Sequence, residues 1–481
     1  MRKRIFVFLF FSAKSLRVLC ASAVKSVRTH LQFVNEKTLT GTKIMQKTIK
    51  QTGSVLLLTL SLLTFGYAQK PQSENKLDKP ESVGVSSERL QRLNQLIERK
   101  ISEDKIVGAV TLVARRGKIV HLAAAGKADV EAGKALKPDA IFRIYSMTKP
   151  ITTVAAMMLY EEGKYQLDDP VAMYLPEFKD VMVYGEGGTL VKPKSQMTIR
   201  HLMAHTSGLT YGFFGNTDVD KQYRAANVLG GEITLAEFTQ KLAKLPLLFH
   251  PGEQWNYGVN TDVLGRLVEV WSGLTLDEFF RQRIFKPLGM NDTGFDVPTN
   301  KIERFTTNYQ WGANPLALGE VTGKRVVGDH PSKSRYARPA RFYSGGGGLV
   351  STAHDYLRFC QMMLNGGALD SVRLLSPKSI QLMTSEHTKH ARLPQGGVAL
   401  GRGAAFGLGF QVITDTAENQ RIGSVGTFDW AGAASTSFFI DPKEQLIGIL
   451  MTQKMPTDFR LMVEFRTMVY QAIVESLHPQ H

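Results

Sequence analysis

The sequence predicts an α+β fold: one antiparallel sheet flanked by helices from the two chain ends, with a mostly helical subdomain inserted between its strands. Two apolar runs, 109–114 and 119–125, are joined by the tight turn Arg115-Arg116-Gly117-Lys118, which makes them an antiparallel pair. Strand-like runs return only near the other end, at 407–413, 435–440 and 446–452, with Asp441-Pro442 turning between the last two. One amphipathic helical pattern precedes the first strand, and another follows the last.

The elements before the sheet are read as follows. Residues 1–44 open with a basic-then-apolar stretch, Arg2–Phe11, and are expected to be an over-extended reading frame, with translation starting at Met45. Residues 45–68 read as a signal peptide: Lys47 and Lys50 are basic, Val55–Phe65 is apolar, and Gly66 and Ala68 are the small residues at −3 and −1. Export to the periplasm or beyond follows, with no stable membrane span after cleavage, because the apolar run is too short to cross a bilayer. The alternative is an anchor that is never cut. Residues 69–86, rich in Lys, Pro, Ser and Glu, read as a linker, and 87–481 as a single domain with its helical insert at about 165–345.

Ser87 is expected to cap the first helix, whose apolar face is Leu90, Leu93, Leu96, Ile97 and Ile101. A second helix is expected from Thr148 to Glu162, built of good helix formers and ended by Gly163. The last runs from about Thr457 to Leu477, with Phe459, Met462, Val463, Arg466, Val469, Tyr470 and Ile473 at helical spacing.

Composition narrows the function classes. The formal net charge is +16, but residues 1–68 hold eleven Lys and Arg against Glu36 alone, leaving +6 for the rest. No basic stripe is interleaved with aromatics, so no nucleic-acid partner is expected. Of the two cysteines, Cys20 falls in the leader and Cys360 stands alone, so neither a disulfide framework nor a cysteine zinc site is expected. Gly-x-Ser-x-Gly, His-Glu-x-x-His and phosphate-loop patterns are all absent.

The chemistry-bearing motif is Ser146-Met147-Thr148-Lys149-Pro150. Ser-x-x-Lys also occurs at Ser22–Lys25 and Ser73–Lys76, so the pattern alone says little. At Ser146 an apolar, strand-like approach leads into a helix, and Pro150 suits a first helical turn. On a helix, positions i and i+3 share a face, which brings the Lys149 amine to the Ser146 hydroxyl. A serine needs a base to attack, and a lysine serves only where its pKa is lowered. The helix N-terminus adds N–H groups and partial positive charge where an oxyanion forms. The bland reading is a capping serine beside a solvated lysine.

Residues 142–150, Phe-Arg-Ile-Tyr-Ser-Met-Thr-Lys-Pro, resemble the nucleophile segment of serine β-lactamase-like proteins. That group includes class C β-lactamases, penicillin-binding DD-peptidases and family VIII carboxylesterases. His205-Thr206-Ser207-Gly208-Leu209, Pro251-Gly252-Glu253-Gln254-Trp255-Asn256-Tyr257, Ser344-Gly345-Gly346-Gly347-Gly348 and Phe406-Gly407-Leu408-Gly409-Phe410 resemble it in the same order, over roughly residues 80–475.

The resemblance implies a β-lactamase/transpeptidase-like fold. It also implies acyl transfer through a covalent acyl-enzyme on Ser146, needing no metal or cofactor, on a small-molecule ester or amide. It makes Lys149 the activator. Tyr257 becomes the general base, as a phenolate or within a Tyr–Lys proton relay. Val259 stands where the family's Tyr-x-Asn has its Asn, and the adjacent Asn260, displaced by one residue, is not counted among the site residues.

Trp430-Ala431-Gly432 resembles the esterases' Trp-Gly-Gly in place of Lys-Thr-Gly, which implies substrate contacts from Trp430 and Gly432. The backbone N–H groups of Ser146 and Ala433 are the implied oxyanion donors. His205 is expected to be structural. Tyr211-Gly212-Phe213-Phe214 is expected either to line an acyl pocket or to pack beneath the domain. The leading expectation is a carboxylesterase-like serine hydrolase. The alternatives are a D-amino-acid peptidase or β-lactamase acting on cell-wall-like substrates, and a non-catalytic binding protein that keeps the fold.

Overall fold

A computed structural model describes residues 77–317, 323–392 and 400–478. The expected signal segment and everything upstream of it lie outside the described residues.

The antiparallel sheet has eight strands. In chain order they are β1 (Gly108–Arg115), β2 (Lys118–Asp129), β3 (Lys134–Ala135), β4 (Ala404–Phe406), β5 (Gln411–Ile413), β6 (Phe428–Ala431), β7 (Ser437–Asp441) and β8 (Leu446–Thr452). Across the sheet the order is β4-β5-β6-β7-β8-β1-β2-β3, so the last strand of the chain pairs with the first. The β1–β2 turn places Arg116 and Gly117 at φ 52° and 74°, the left-handed pair that a two-residue hairpin requires.

Five longer helices surround this sheet, some packed on its strands and others on one another. They are α1 (Ser87–Ser102), α2 (Thr148–Glu161), α3 (Asn260–Ser272), α4 (Ala353–Leu364) and α5 (Phe459–Tyr470). Both faces of the central strands are covered. Ala109 and Val113 of β1 and Leu446 and Leu450 of β8 join Leu90, Leu93, Leu461 and Phe465 of α1 and α5. Their alternates, Val110, Leu112, Ile447 and Ile449, join α2, α3 and α4 on the opposite face. Burial on both faces is why β1 and β8 read as unbroken apolar runs rather than alternating ones. Helix α2 is sandwiched likewise. Every residue from Thr148 to Leu159 is buried, so helix formers rather than a periodic stripe mark it in the sequence.

Several boundaries differ from expectation. Ser86, not Ser87, caps α1, accepting from the Arg89 N–H, while the Ser87 N–H donates to Glu81. The run 407–413 is not one strand. Gly407 and Phe410 close a turn, with Gly409 at φ 87°, between β4 and β5. Trp430 lies on a strand outside the expected runs, β6, and α5 stops at Tyr470. Packed chain begins within the stretch expected to be linker: Pro80–Val83 form a short helical turn, and Val83 and Val85 are buried against α1 and α5. A second sheet of Asn308–Trp311, Arg325–Asp329 and Lys454–Met455 was not expected, because its strands are short and pair across distant sequence.

Arg115 ties the two chain ends together. Expected in a turn, it is the last residue of β1 and is fully buried. Its guanidinium pairs with Glu444 at 2.5 Å and donates to the carbonyls of Val83, Gly84 and Glu475. Substituting Arg115→Met removes the charge partner of Glu444 and one donor from each of those carbonyls. The expected cost is about 3–5 kcal/mol in urea denaturation. A loss below about 1 kcal/mol contradicts this role for the cluster.

Candidate active site

The site begins with a strained turn. Phe142–Arg143 form a short strand, and the chain then reverses through Tyr145, which holds φ 42° despite its side chain. Arg143 anchors the approach: buried over the Phe305 ring, it donates to Asp329 at 2.6 Å and to the Thr306 carbonyl at 2.6 Å. The Tyr145 hydroxyl accepts from Asn308. Ser146 then sits half-buried in a single 3-10 turn that runs directly into α2.

Lys149 is fully buried, and its Nζ meets three oxygens. It lies 3.3 Å from Ser146 Oγ, 2.9 Å from the Tyr211 hydroxyl and 2.6 Å from the Gly346 carbonyl. These three acceptors match the three hydrogens of an ammonium. Burial nevertheless disfavours the charge, with the Asp262 carboxyl opposing that effect, and the pKa is lowered to about 7. The solvated-lysine reading is thereby excluded.

Tyr257 reaches the same point from the segment before α3. Its hydroxyl accepts from the Trp430 indole N–H at 3.3 Å, and Ser146 is near enough to act on its pKa. Lys149 Nζ lies over its ring, 4.5 Å from the centroid, rather than against its oxygen. Burial pushes the phenol upward, against the pull of the Ser146 and Trp430 hydrogen bonds. Of the two expectations for Tyr257, this favours a neutral phenol within a proton relay over a phenolate at rest. The phenol that hydrogen-bonds the lysine is that of Tyr211, which the sequence offered only as pocket lining or packing.

The third element is the turn after β6. The Gly432 N–H donates to the Thr436 carbonyl at 2.7 Å and the Ser435 N–H to Gly432, while the Ala433 N–H has no partner among the described residues. Ser146, Tyr257, Trp430, Gly432 and Ala433 border one cleft of about 470 Å³. Its walls are largely apolar, with Phe214, Leu400, Phe438, Phe459 and Met462 among them. Gly432 is demanded by packing as well as by the cleft: a Cβ there meets Thr436 Oγ1 at 2.3 Å and the Ile144 carbonyl at 2.4 Å.

Neither Val259 nor Asn260 supplies the cleft-facing amide of the family's Tyr-x-Asn. Val259 is fully buried, and Asn260 turns inward, donating to His205 at 2.9 Å and accepting from Ser207. Neither lines the cleft. His205 is structural as expected, its buried ring packed against Trp255, Tyr257 and Phe406.

The Ser344–Gly348 run belongs to the resemblance but was given no role there, and the loop's partner Asp262 was missed by sequence reasoning. Thr152 donates to the Gly345 carbonyl at 2.8 Å, and a Cβ on Gly345 or Gly346 meets Thr261 O at 2.6 Å or Asp262 Oδ2 at 2.4 Å. The run of glycines lets the backbone press against α2 and α3 and deliver a carbonyl to Lys149. Its only sequence signal was the glycine run itself.

Comparison with known proteins places this geometry. The family model described as Beta-lactamase matches residues 93–471. Esterase EstB of Burkholderia gladioli is 32% identical over 371 residues, covering 75% of this chain and 89% of that protein. An uncharacterized Mycobacterium tuberculosis protein is 36% identical over 377 residues, covering 76% and 90%. Among solved structures, EstCE1, a hydrolase with promiscuous acyltransferase activity, superposes with a TM-score of 0.67 at 29% identity, covering 80% of this chain and 99% of its own. The fold is that of the β-lactamases and transpeptidases, and this chain belongs to the beta-lactamase family, in which proteins similar to it are named esterases and hydrolases.

Proposed function

We propose that the protein hydrolyses neutral carboxylic esters through an acyl-enzyme on Ser146. The observation that carries this is the buried Lys149 amine, 3.3 Å from Ser146 Oγ and with its pKa lowered to about 7. Near neutral pH a substantial fraction of Lys149 is free base, able to take the serine proton as Oγ attacks the carbonyl carbon. The Ser146 and Ala433 N–H groups receive the oxyanion. The Tyr257 hydroxyl passes a proton to the departing alkoxide. In the second half-reaction water gives a proton to the Tyr257 phenolate as it attacks the acyl carbon, and the Lys149 ammonium returns its proton to the departing Ser146 Oγ.

The wall of the cleft favours neutral esters over β-lactams and peptide termini. Trp430-Ala431-Gly432 stands where a Lys-Thr-Gly strand supplies a cation for a substrate carboxylate, and the Trp430 N–H is already engaged by Tyr257. The apolar lining suits an apolar acyl or alcohol group. The basic-then-apolar segment 45–68 supports export, and no helix among the described residues is long and apolar enough to cross a membrane.

The central test is labelling by a p-nitrophenyl ester or a fluorophosphonate. Ser146 is the expected site of the adduct, and Ser146→Ala is expected to lower kcat by roughly 10⁴-fold or more. Turnover that survives this change ends the acyl-enzyme reading. The pH dependence follows from Lys149. Since the neutral amine is the active form, kcat/KM is expected to rise with pH through a midpoint near 7 and to be low below it. A profile flat from about pH 5 to 8 removes Lys149 as the base. For substrate class, a p-nitrophenyl ester is expected to turn over at least about 10²-fold faster, by kcat/KM, than nitrocefin, because Trp430-Ala431-Gly432 lacks the cation that a Lys-Thr-Gly strand presents to the β-lactam carboxylate. The reverse preference establishes the β-lactamase alternative.

A further inference from the structure

We infer that Asp262 is a positioning residue for Lys149: it holds the carbonyl on which the amine rests and supplies the counter-charge to the ammonium. The inference rests on the reading of Lys149 as the base.

Asp262 lies in the first turn of α3, five residues beyond Tyr257, and is fully buried. Its Oδ1 accepts from Ser344 Oγ at 2.5 Å and from the Gly346 N–H at 3.0 Å. The carbonyl of that same Gly346 accepts from Lys149 Nζ at 2.6 Å. A chain of hydrogen bonds thus runs from carboxylate to glycine to amine. Because a carbonyl only accepts, it pins one N–H of the amine and leaves the rest of the nitrogen turned toward Ser146 and Tyr211.

The other oxygen, Oδ2, is buried with no hydrogen-bond partner among the described residues. An orphan carboxylate oxygen is costly, and structural anchoring of the loop does not require it, because Oδ1 alone does that work. It becomes intelligible as negative charge held close to Lys149 in a dry site, where attraction is weakly screened. The glycine at 346 is the complement, since any Cβ there meets Oδ2 at 2.4 Å.

The other titratable groups around the amine are neutral. From the loop after His205 come His205 itself, its pKa driven down by burial, and Tyr211, driven up by it. From the segment before α3 comes Tyr257, likewise driven up. Ser146 of the helix itself and Ser344 of the glycine loop do not ionise in this range. Asp262 is the one carboxylate whose charge acts on Lys149, raising it against burial. Burial in turn raises Asp262, and the Ser344 hydroxyl, the Lys149 charge and the Gly346 N–H pull it back.

The sign follows. An anionic Asp262 favours protonated Lys149, so its removal moves the onset of activity to lower pH. The experiment compares kcat/KM for a p-nitrophenyl ester against pH in the full-length wild-type enzyme, Asp262→Asn and Ser344→Ala. Asn is isosteric and its oxygen still accepts from Gly346. The wild-type midpoint near 7 is expected to fall by about one pH unit or more in Asp262→Asn. Ser344→Ala, which removes one hydrogen bond stabilising the anion, is expected to shift it the same way by less.

A lower rate with an unmoved midpoint in Asp262→Asn shows a purely structural role and overturns the inference. Should that variant not accumulate as folded protein, an unmoved midpoint in Ser344→Ala overturns it equally. A wild-type enzyme with no midpoint near neutrality, or with Ser146 unlabelled by acylating probes, instead overturns the proposed function. The two failures are therefore distinguishable.

Discussion

The site depends on one constraint, the burial of a lysine amine at the start of a helix. In water the Lys149 amine is protonated at neutral pH and cannot accept a proton from serine. Enclosed by α2, α3 and the glycine loop, it loses solvation and its pKa is lowered to about 7. Every neighbour bears on that balance. The Gly346 carbonyl and the Tyr211 hydroxyl replace water as hydrogen-bond partners, the Tyr257 ring offers its π-face, and Asp262 returns part of the lost charge stabilisation.

Such burial needs a rigid surround, and the fold supplies one. Helix α2 is covered on all sides, so the serine and lysine at its start are carried on an element that has no solvent face to fray. The sheet beneath is packed on both faces, and Arg115 joins the segment before α1 to the segment after α5 at the seam where β8 meets β1. The strained Tyr145 turn is held from outside by Arg143 and its partners. Strain at a nucleophile persists only where the surrounding structure over-determines it.

The two tyrosines divide what a single Tyr–Lys relay was expected to do. Tyr257 faces the serine and the cleft, with Trp430 fixing its hydroxyl, and Tyr211 faces the lysine. Burial keeps both as neutral phenols, which suits them to pass protons on rather than to hold negative charge at rest. The lysine is thereby the group whose pKa lies closest to working pH.

The sequence by itself determined the antiparallel sheet, the helices that open and close the domain, and the pairing of Ser146 with Lys149. Those features follow from local periodicity, turn residues and an i to i+3 spacing, all of which act over a few residues. Ordered motifs likewise brought Tyr257 and Trp430 into consideration. Only the tertiary structure decided which phenol meets the amine, that Asn260 turns inward to His205, and that the Ser344–Gly348 loop and Asp262 complete the pocket. Those contacts join residues some 60 to 200 positions apart, and their effect is desolvation, which depends on how many chain segments converge on a group. No local pattern in a single chain records that convergence.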